Sequence, residues 1–203
     1  MATTPGYAAL DGVELESDLI KTKCDSSSLY ACVKLPQPTA DVVWENIVRS
    51  EIVHFACHGK SDSRDPSRSH LLLQVNDESG HPKVDELTVS RVSSVENARL
   101  AWISYLSACS TAQINASKFA DEGIHISSAL QVAGFAHVIG CQWRVEDKVC
   151  VKVAGYSYEA FMGRDRQRLC NRAVAQALRT AILRVRGEHP DPQQWGAYIH
   201  SGA

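Results

Sequence analysis

The sequence predicts an α/β fold in which helices flank a mostly parallel central sheet. Three short apolar runs, residues 52–59, 103–110 and 137–143, have the composition of strands buried on both faces. Helical periodicity separates them, and helices that alternate with buried strands imply right-handed crossovers. The first two runs end in small-residue turns that carry His58 and Cys109. Because parallel strands end at one edge of the sheet, we expect these side chains to share a crevice.

Length and composition predict one domain over residues 1–203. The chain is 44% hydrophobic and 22% charged, which is ordinary for a globular protein. Its net charge of -2 argues against nucleic acid or an anionic membrane as the main partner. No apolar run could span a bilayer, no signal segment follows Met1, and seven scattered cysteines are typical of a reducing compartment. We therefore expect a cytoplasmic protein.

The first fifty residues are predicted to form two helices around a short strand. Residues 12–23 carry apolar side chains at helical spacing, and residues 29–33 have a strand composition that ends before Pro36. Thr39 or Asp41 is expected to cap the second helix, which leads into the first buried strand.

A polar surface loop is predicted over residues 60–69, directly after His58. This loop would form one rim of a substrate groove. Residues 71–75 are predicted to be a strand, residues 76–83 the turn of a hairpin, and residues 85–92 a short helix.

The second half of the chain repeats the alternation of strand and helix. A strand over residues 99–106 precedes a small-residue loop over 110–120, which is of the kind that orders around a bound peptide. A helix over 124–132 ends at Gly134. After the strand at 137–143, the remaining predicted elements are helices over 146–162 and 169–185 and a short strand over 195–199.

A thiol and an imidazole in one crevice suggest a cysteine nucleophile with its base. His58 precedes Cys109 by 51 residues, and caspase-type enzymes place their His about 50 residues before the Cys. The local sequence differs, because caspases have Gln-Ala-Cys, any residue and then Gly, whereas this chain has Ser107-Ala108-Cys109-Ser110-Thr111.

The chain resembles the CHAT domains, caspase-like and separase-like peptidases of the clan that contains caspases, gingipains and separase. The resemblance runs from about Thr4 to the carboxyl terminus, in the family's order and spacing. The matching stretches are His54-Phe55-Ala56-Cys57-His58-Gly59, Leu106-Ser107-Ala108-Cys109-Ser110-Thr111, Asp121-Glu122-Gly123-Ile124-His125, Ala133-Gly134-Phe135-Ala136-His137-Val138-Ile139-Gly140 and Trp143.

The resemblance implies a caspase-like three-layer sandwich and a cysteine endopeptidase. Such an enzyme would cut a protein or peptide substrate at a limited number of sites, in signalling or programmed cell death. Family members usually carry a further segment upstream, often behind tetratricopeptide repeats, and we expect that segment to be absent here. An activating partner or an upstream regulatory domain is therefore also expected.

The chemistry requires a base, a nucleophile and donors for an oxyanion. Cys109 is the predicted nucleophile, and His58 is the candidate base at the same sheet edge. The N–H groups of Gly59 and Cys109 are the predicted oxyanion donors, a role that the resemblance also implies. The resemblance implies a dyad without a fixed third residue. No cofactor or metal is expected, since Cys57, His58 and Cys109 match no common zinc spacing.

Structural interpretations compete at several of these residues. Cys109 has the alternative of being a small buried side chain. His54 shares a strand face with His58 and is predicted to be either a hydrogen-bonded core histidine or one that supports the site without touching substrate. Cys57 faces the opposite side and is predicted to pack. His125 and His137 are interpreted as structural.

In the clan, the primary specificity pocket lies beside the Cys strand and the next strand. Here this corresponds to residues 110–122 and 142–147, and a carboxylate at the pocket floor would select Lys or Arg before the cut. The predicted substrate-binding residues are Asp121, Glu122, Trp143, Glu146 and Asp147.

Separase resembles this pocket stretch through a Trp-Asp-Val-Thr-Asp run. The chain has Arg144 in place of the first acid, so the preference before the cut stays open. Glu146 and Asp147 have a second interpretation as acids favoured by a helix dipole.

Two other functions remain open from the sequence. One is a catalytically silent module in which the caspase-like fold serves binding or regulation. The other is a different thiol acyl-transfer enzyme, such as a transpeptidase. The intact His58-Gly59 and Ala108-Cys109 pairs favour the endopeptidase.

Overall fold

Two β-sheets form the framework of the protein, described from a computed structural model. The structure describes residues 1–27, 29–60, 62, 64–94, 101–107, 122–143, 145–163 and 170–202, without the side chains of 66 and 122–125. In chain order the strands are β1 (Ile52–Phe55), β2 (Gly59–Lys60), β3 (His70–Asn76), β4 (Pro82–Thr88), β5 (Ile103–Leu106), β6 (His137–Cys141) and β7 (Tyr198–Gly202).

The larger sheet has the strand order β1-β5-β6-β7. Its first three strands are parallel and β7 runs antiparallel to β6, so the predicted mostly parallel sheet is confirmed. The smaller sheet has the order β2-β3-β4 and is antiparallel. The chain enters it directly after β1.

The helices lie on both sides of the larger sheet. They are α1 (Gly12–Asp25), α2 (Ala40–Ile47), α3 (Val89–Ser93), α4 (Glu122–Val132), α5 (Asp147–Met162), α6 (Asn171–Glu188) and α7 (Pro192–Trp195). One core joins β5 and β6 to α1, α5 and α6. The other joins the opposite face to α2, α3, α4 and the small sheet. The molecule is therefore the caspase-like three-layer sandwich that the sequence predicts.

Strand alternation explains why the central strands are mostly apolar on both faces. In β5, Ile103 and Tyr105 enter the α1, α5 and α6 core, whereas Leu106 enters the opposite core. In β1, His54 stacks on Tyr105 and Phe55 packs on the α2 side. Because both faces of the sheet are covered, every position needs a side chain that tolerates burial.

Two sequence-based element predictions are wrong. Residues 29–33 form no strand, since they pair with no described ladder, and Val33 is 71% exposed. Residues 85–92 are not one helix, because Pro82–Thr88 pairs with β3 along its whole length and α3 starts only at Val89. Thr88 caps that helix by accepting a hydrogen bond from the Arg91 N–H.

The other element predictions agree with the structure within a few residues. The strand predicted at 99–106 begins at Ile103, and residues 95–100 lie outside the described part of the chain. The last strand is shifted to Tyr198–Gly202, after the short α7. The loop at 110–120 also lies outside the described residues. None of the described helices has the length and apolar character needed to cross a membrane.

Candidate functional site

His58 lies where the two sheets meet, at the carboxyl edge of the parallel strands. The chain leaves β1 at Phe55, and His58 already accepts a hydrogen bond from the Leu72 N–H through its carbonyl, at 2.8 Å. This bond extends the β2–β3 pairing by one residue. The imidazole is therefore attached to a main chain that both sheets hold.

Ser107 lies at the same edge, directly after β5. Its N–H donates to the Phe55 carbonyl at 3.0 Å, which continues the β1–β5 ladder to the end of both strands. Cys109 follows two residues later and lies outside the described residues, so its role stays a prediction.

A main-chain carbonyl holds the His58 ring. Nε2 lies 2.8 Å from the Ala8 carbonyl oxygen. A carbonyl oxygen only accepts, so Nε2 carries the hydrogen and Nδ1 has the ring's lone pair. The Tyr7 ring lies beside the imidazole, with 5.2 Å between centroids, and the His58 residue is 5% exposed. The ring is thus fixed in orientation and tautomer.

The segment before α1 is itself attached to the end of β1. The Leu10 N–H donates to the Ala2 carbonyl at 2.8 Å, and the Met1 nitrogen donates to the Ala56 carbonyl. Sequence reasoning missed the role of Ala8, because a main-chain carbonyl leaves no trace in residue type. The resemblance implied no fixed third residue, and the structure adds a main-chain group instead.

Gly59 is packed too closely for a side chain. A Cβ at this position would lie 2.8 Å from Ile126 Cδ1 and 3.5 Å from Leu71 Cδ2. Any larger residue would therefore require the end of the Ile126 side chain, which α4 carries, to shift. The predicted oxyanion role of the Gly59 N–H remains a prediction.

A buried carboxylate joins the two strands near the candidate site. Glu16 of α1 is 3% exposed, and its Oε1 accepts a hydrogen bond from the Ser107 hydroxyl. His54 Nε2 lies 3.0 Å from the same oxygen, but neither ring nitrogen of His54 makes a hydrogen bond to a described residue, so the prediction that His54 is hydrogen-bonded is wrong. His54 also stacks on Tyr105, with 4.7 Å between ring centroids. Glu16 thereby connects α1 to both strand ends.

Cys57 is a packed thiol, as strand alternation predicts. It is 5% exposed and lies in the core on the α2 side. Burial raises the pKa of its thiol to about 11, so it is protonated at neutral pH.

The predicted specificity residues Trp143 and Asp147 both make hydrogen bonds within the protein. Trp143 is 40% exposed, and its Nε1 donates to the Gln193 carbonyl at 2.8 Å. Asp147 Oδ2 accepts a hydrogen bond from the Gly12 N–H at 3.1 Å, so this carboxylate lies at the amino end of α1. That position suits the dipole interpretation. Its role in substrate binding stays a prediction.

The remaining specificity residues are only partly described. Glu146 is exposed and occupies the N-cap position of α5, but its side chain makes no capping hydrogen bond. Its N–H donates to Gln194 Oε1 at 3.1 Å. Asp121 and Arg144 lie outside the described residues, as does the side chain of Glu122. In the described part of the chain, no three His, Cys, Asp or Glu side chains gather as metal ligands.

Comparison with known proteins gives the family of this chain. A family model described as CHAT domain matches residues 2–203. The chain therefore belongs to the CHAT domain family, whose domain is related to the caspase-like cysteine peptidases. No curated protein matches the sequence significantly.

Proposed function

We propose that this CHAT domain is a cysteine endopeptidase in which His58 is the base and Cys109 the nucleophile. The observation that supports the proposal most is the Nε2 bond to the Ala8 carbonyl, 2.8 Å long, at the edge where β1 and β5 end. It leaves Nδ1 as the basic nitrogen. Nδ1 can then take up a proton while Nε2 keeps its bond to the Ala8 carbonyl, as a general base requires.

The proposed reaction begins with proton transfer from the Cys109 thiol to His58 Nδ1. The thiolate attacks the substrate carbonyl carbon, and the N–H groups of Gly59 and Cys109 stabilise the oxyanion. When the C–N bond breaks, the imidazolium gives its proton to the leaving amine. Water then attacks the thioester with His58 as base, which releases the acid and restores the thiol. The Ala8 carbonyl keeps accepting from Nε2 and stabilises the charged ring.

The proposed biological role is limited proteolysis in signalling or programmed cell death, in the cytoplasm. Family membership supports this role, since it is what the CHAT resemblance implies. The proposal includes an activating partner or an upstream regulatory domain. Trp143 and Glu146, together with the acids at 121, 122 and 147, are the proposed specificity residues.

A peptide library tests the endopeptidase proposal directly. We expect the wild-type protein to cleave a restricted set of peptides, and the Cys109→Ala protein to cleave none of them. Cleavage that persists in Cys109→Ala would contradict the proposal. Cys57→Ala is the matched control, because this thiol is buried beside the site.

Labelling with a peptide-based electrophile gives a second readout. Cys32 requires attention, because a hydrogen bond with the Cys24 thiol lowers the pKa of the Cys32 thiol to about 7. Cys170 is also an exposed free thiol, so a Cys32→Ser, Cys170→Ser background removes both competing nucleophiles. In this background we expect one label per molecule, on Cys109, and none on Cys57.

The burial of His58 favours a second candidate function, a catalytically silent binding module. A ring that is 5% exposed must gain access to substrate before it acts. A silent module would show no cleavage, and its Cys109 would label no faster than a free thiol in a small peptide. Faster labelling that also depends on His58 would reject this candidate.

A further inference from the structure

A charged groove lies directly beside His58, on the small sheet. Its volume is about 540 Å³. It runs between the loop after β2 and the edge of β4. The described residues that line it are Lys60, Asp62, Arg64, Ser67, Arg68, His70, Glu86, Thr88 and Ser90.

The pairing of the strands places the groove floor on the same sheet face as His58. Residues that face each other across an antiparallel ladder share a face, as do residues two apart along a strand. Across the strands, Lys60 pairs with His70, and His70 pairs with Thr88. His58 lies two residues before Lys60. Its carbonyl bonds to the Leu72 N–H, and Leu72 pairs with Glu86. Alternate residues lie about 7 Å apart, so the groove starts about 7 Å from the candidate base.

The acidic side chains of the groove are already engaged. Asp62 Oδ1 accepts hydrogen bonds from the Arg64 and Asp65 N–H groups, at 2.9 and 3.0 Å. These bonds lower the pKa of Asp62 and shape the loop. Its other oxygen lies 3.6 Å from Arg68 Nε, and Glu86 lies 3.5 Å from His70 Nε2.

Two further cations line the groove, and the charge of one of them, Arg64, also lowers the pKa of Asp62. Lys60 and Arg64 are exposed, and no ion pair joins either of them to a described residue. The groove therefore has excess positive charge on a chain whose net charge is -2. Such a groove attracts carboxylates.

We propose that this groove, through Lys60 and Arg64, binds acidic side chains of the substrate that follow the scissile bond. The inference rests on the proposed endopeptidase function. The imidazolium gives its proton to the leaving amine, so the first residue after the cut must lie against His58. Lys60 comes next on the same sheet face, within reach of the first two residues after the cut.

The experiment compares two peptide libraries that are randomised before the cut. One has Gly-Asp-Asp after the randomised positions and the other has Gly-Asn-Asn, which keeps the shape and removes the charge. We expect kcat/KM about five- to tenfold higher for the Asp library at low salt, because exposed ion pairs are worth roughly this much and are screened. The preference is expected to shrink at high salt.

Substitutions in the groove test whether the preference for the Asp library arises there. In Lys60→Ala and Arg64→Ala the ratio between the two libraries is expected to fall towards one. Lys60→Glu is expected to reverse it in favour of a Gly-Lys-Lys library. Lys83→Ala is the matched control, because Lys83 is an exposed lysine of the same sheet on the opposite face. It is expected to keep the wild-type ratio.

The outcomes separate the groove from the endopeptidase proposal. Cleavage of both libraries at equal rates would overturn the groove proposal and leave the peptidase intact. If neither library is cleaved, the peptidase proposal fails, and binding of the fluorescent peptides to the Cys109→Ala protein decides the groove. Tighter, Lys60-dependent binding of the Asp peptide supports it, and equal binding of the two peptides overturns it.

Discussion

Two buried histidines lie at opposite edges of the larger sheet and are held in different ways. His137 starts β6 and is fully buried. Its Nε2 donates to Asn171 Oδ1 at 3.1 Å, and its Nδ1 accepts from His200 Nε2 at 2.9 Å. His58, beyond the carboxyl end of β1, is held through Nε2 by the Ala8 carbonyl.

The difference separates a structural histidine from a candidate base. Protonation of His137 at Nδ1 would break its bond to His200, because that nitrogen is the acceptor. Protonation of His58 at Nδ1 leaves the bond to Ala8 intact and strengthens it. The acceptor role of His137 Nδ1, and the edge of the sheet at which each ring lies, therefore indicate more about the two histidines than their burial does.

The largest expected effect is on catalysis at His58. His58→Ala is expected to lower kcat/KM for peptide cleavage by about 10³-fold, because a general base contributes between about 10² and 10⁴. Circular dichroism checks that the fold persists. His81→Ala, at an exposed histidine, is the control and is expected to keep full activity. Full activity in His58→Ala would show that His58 is not the base and would remove its functional contrast with His137.

At His137 the expected loss is in stability instead. His137→Ala is expected to lower the free energy of unfolding by about 3 kcal/mol, because it leaves a cavity and unpaired partners at His200 and Asn171. Urea denaturation measures this loss. A change below about 1 kcal/mol would show that these hydrogen bonds do not hold the amino edge of the sheet.

Variants of Glu16 test whether the carboxyl edge of the sheet also depends on buried polar contacts for stability. Glu16→Ala is expected to cost about 2 kcal/mol, since it leaves Ser107 and His54 without the carboxylate. Glu16→Gln retains one acceptor and is expected to cost less. Glu14→Ala, at an exposed position of the same helix, provides the baseline. Equal stability of the Glu16→Ala and Glu14→Ala proteins would contradict this.

The pH dependence of stability tests the histidine pair at the amino edge of the sheet. Burial lowers the pKa values of His137 and His200 from 6.5, and for His200 the neighbouring His137 adds to this effect. Below pH 6.5 the unfolded chain therefore binds more protons than the folded protein, and stability falls as the pH falls. Denaturation midpoints at several pH values measure the slope. His200→Gln is expected to flatten it, whereas the exposed His81→Gln leaves it unchanged.

The smallest expected effect is at Cys57. Cys57→Ala is expected to retain peptide cleavage and lose about 1 kcal/mol of stability, because a small buried side chain is removed from a packed core. Activity and urea denaturation of one preparation measure both quantities. Loss of activity at unchanged stability would show that the neighbouring thiol contributes to the site.

The sequence by itself determined the sheet, most helices and the position of His58. Hydrophobic periodicity is local, so apolar runs at 52–55, 103–106 and 137–141 identify buried strands without knowledge of their neighbours. The same local signal failed for Pro82–Thr88, since pairing with β3 outweighed a weak helical pattern. It also failed for residues 29–33, which have a strand composition but join neither described sheet.

Only the tertiary structure decided the surroundings of His58. The Ala8 carbonyl is 50 residues away in the chain, and the contact between Glu16 and Ser107 spans 91 residues. A glutamate in an amphipathic helix is ordinarily a surface residue, and an alanine carries no signal for its carbonyl. Both roles arise because the packing of α1 against the sheet brings distant parts of the chain together, and residue type does not encode such contacts.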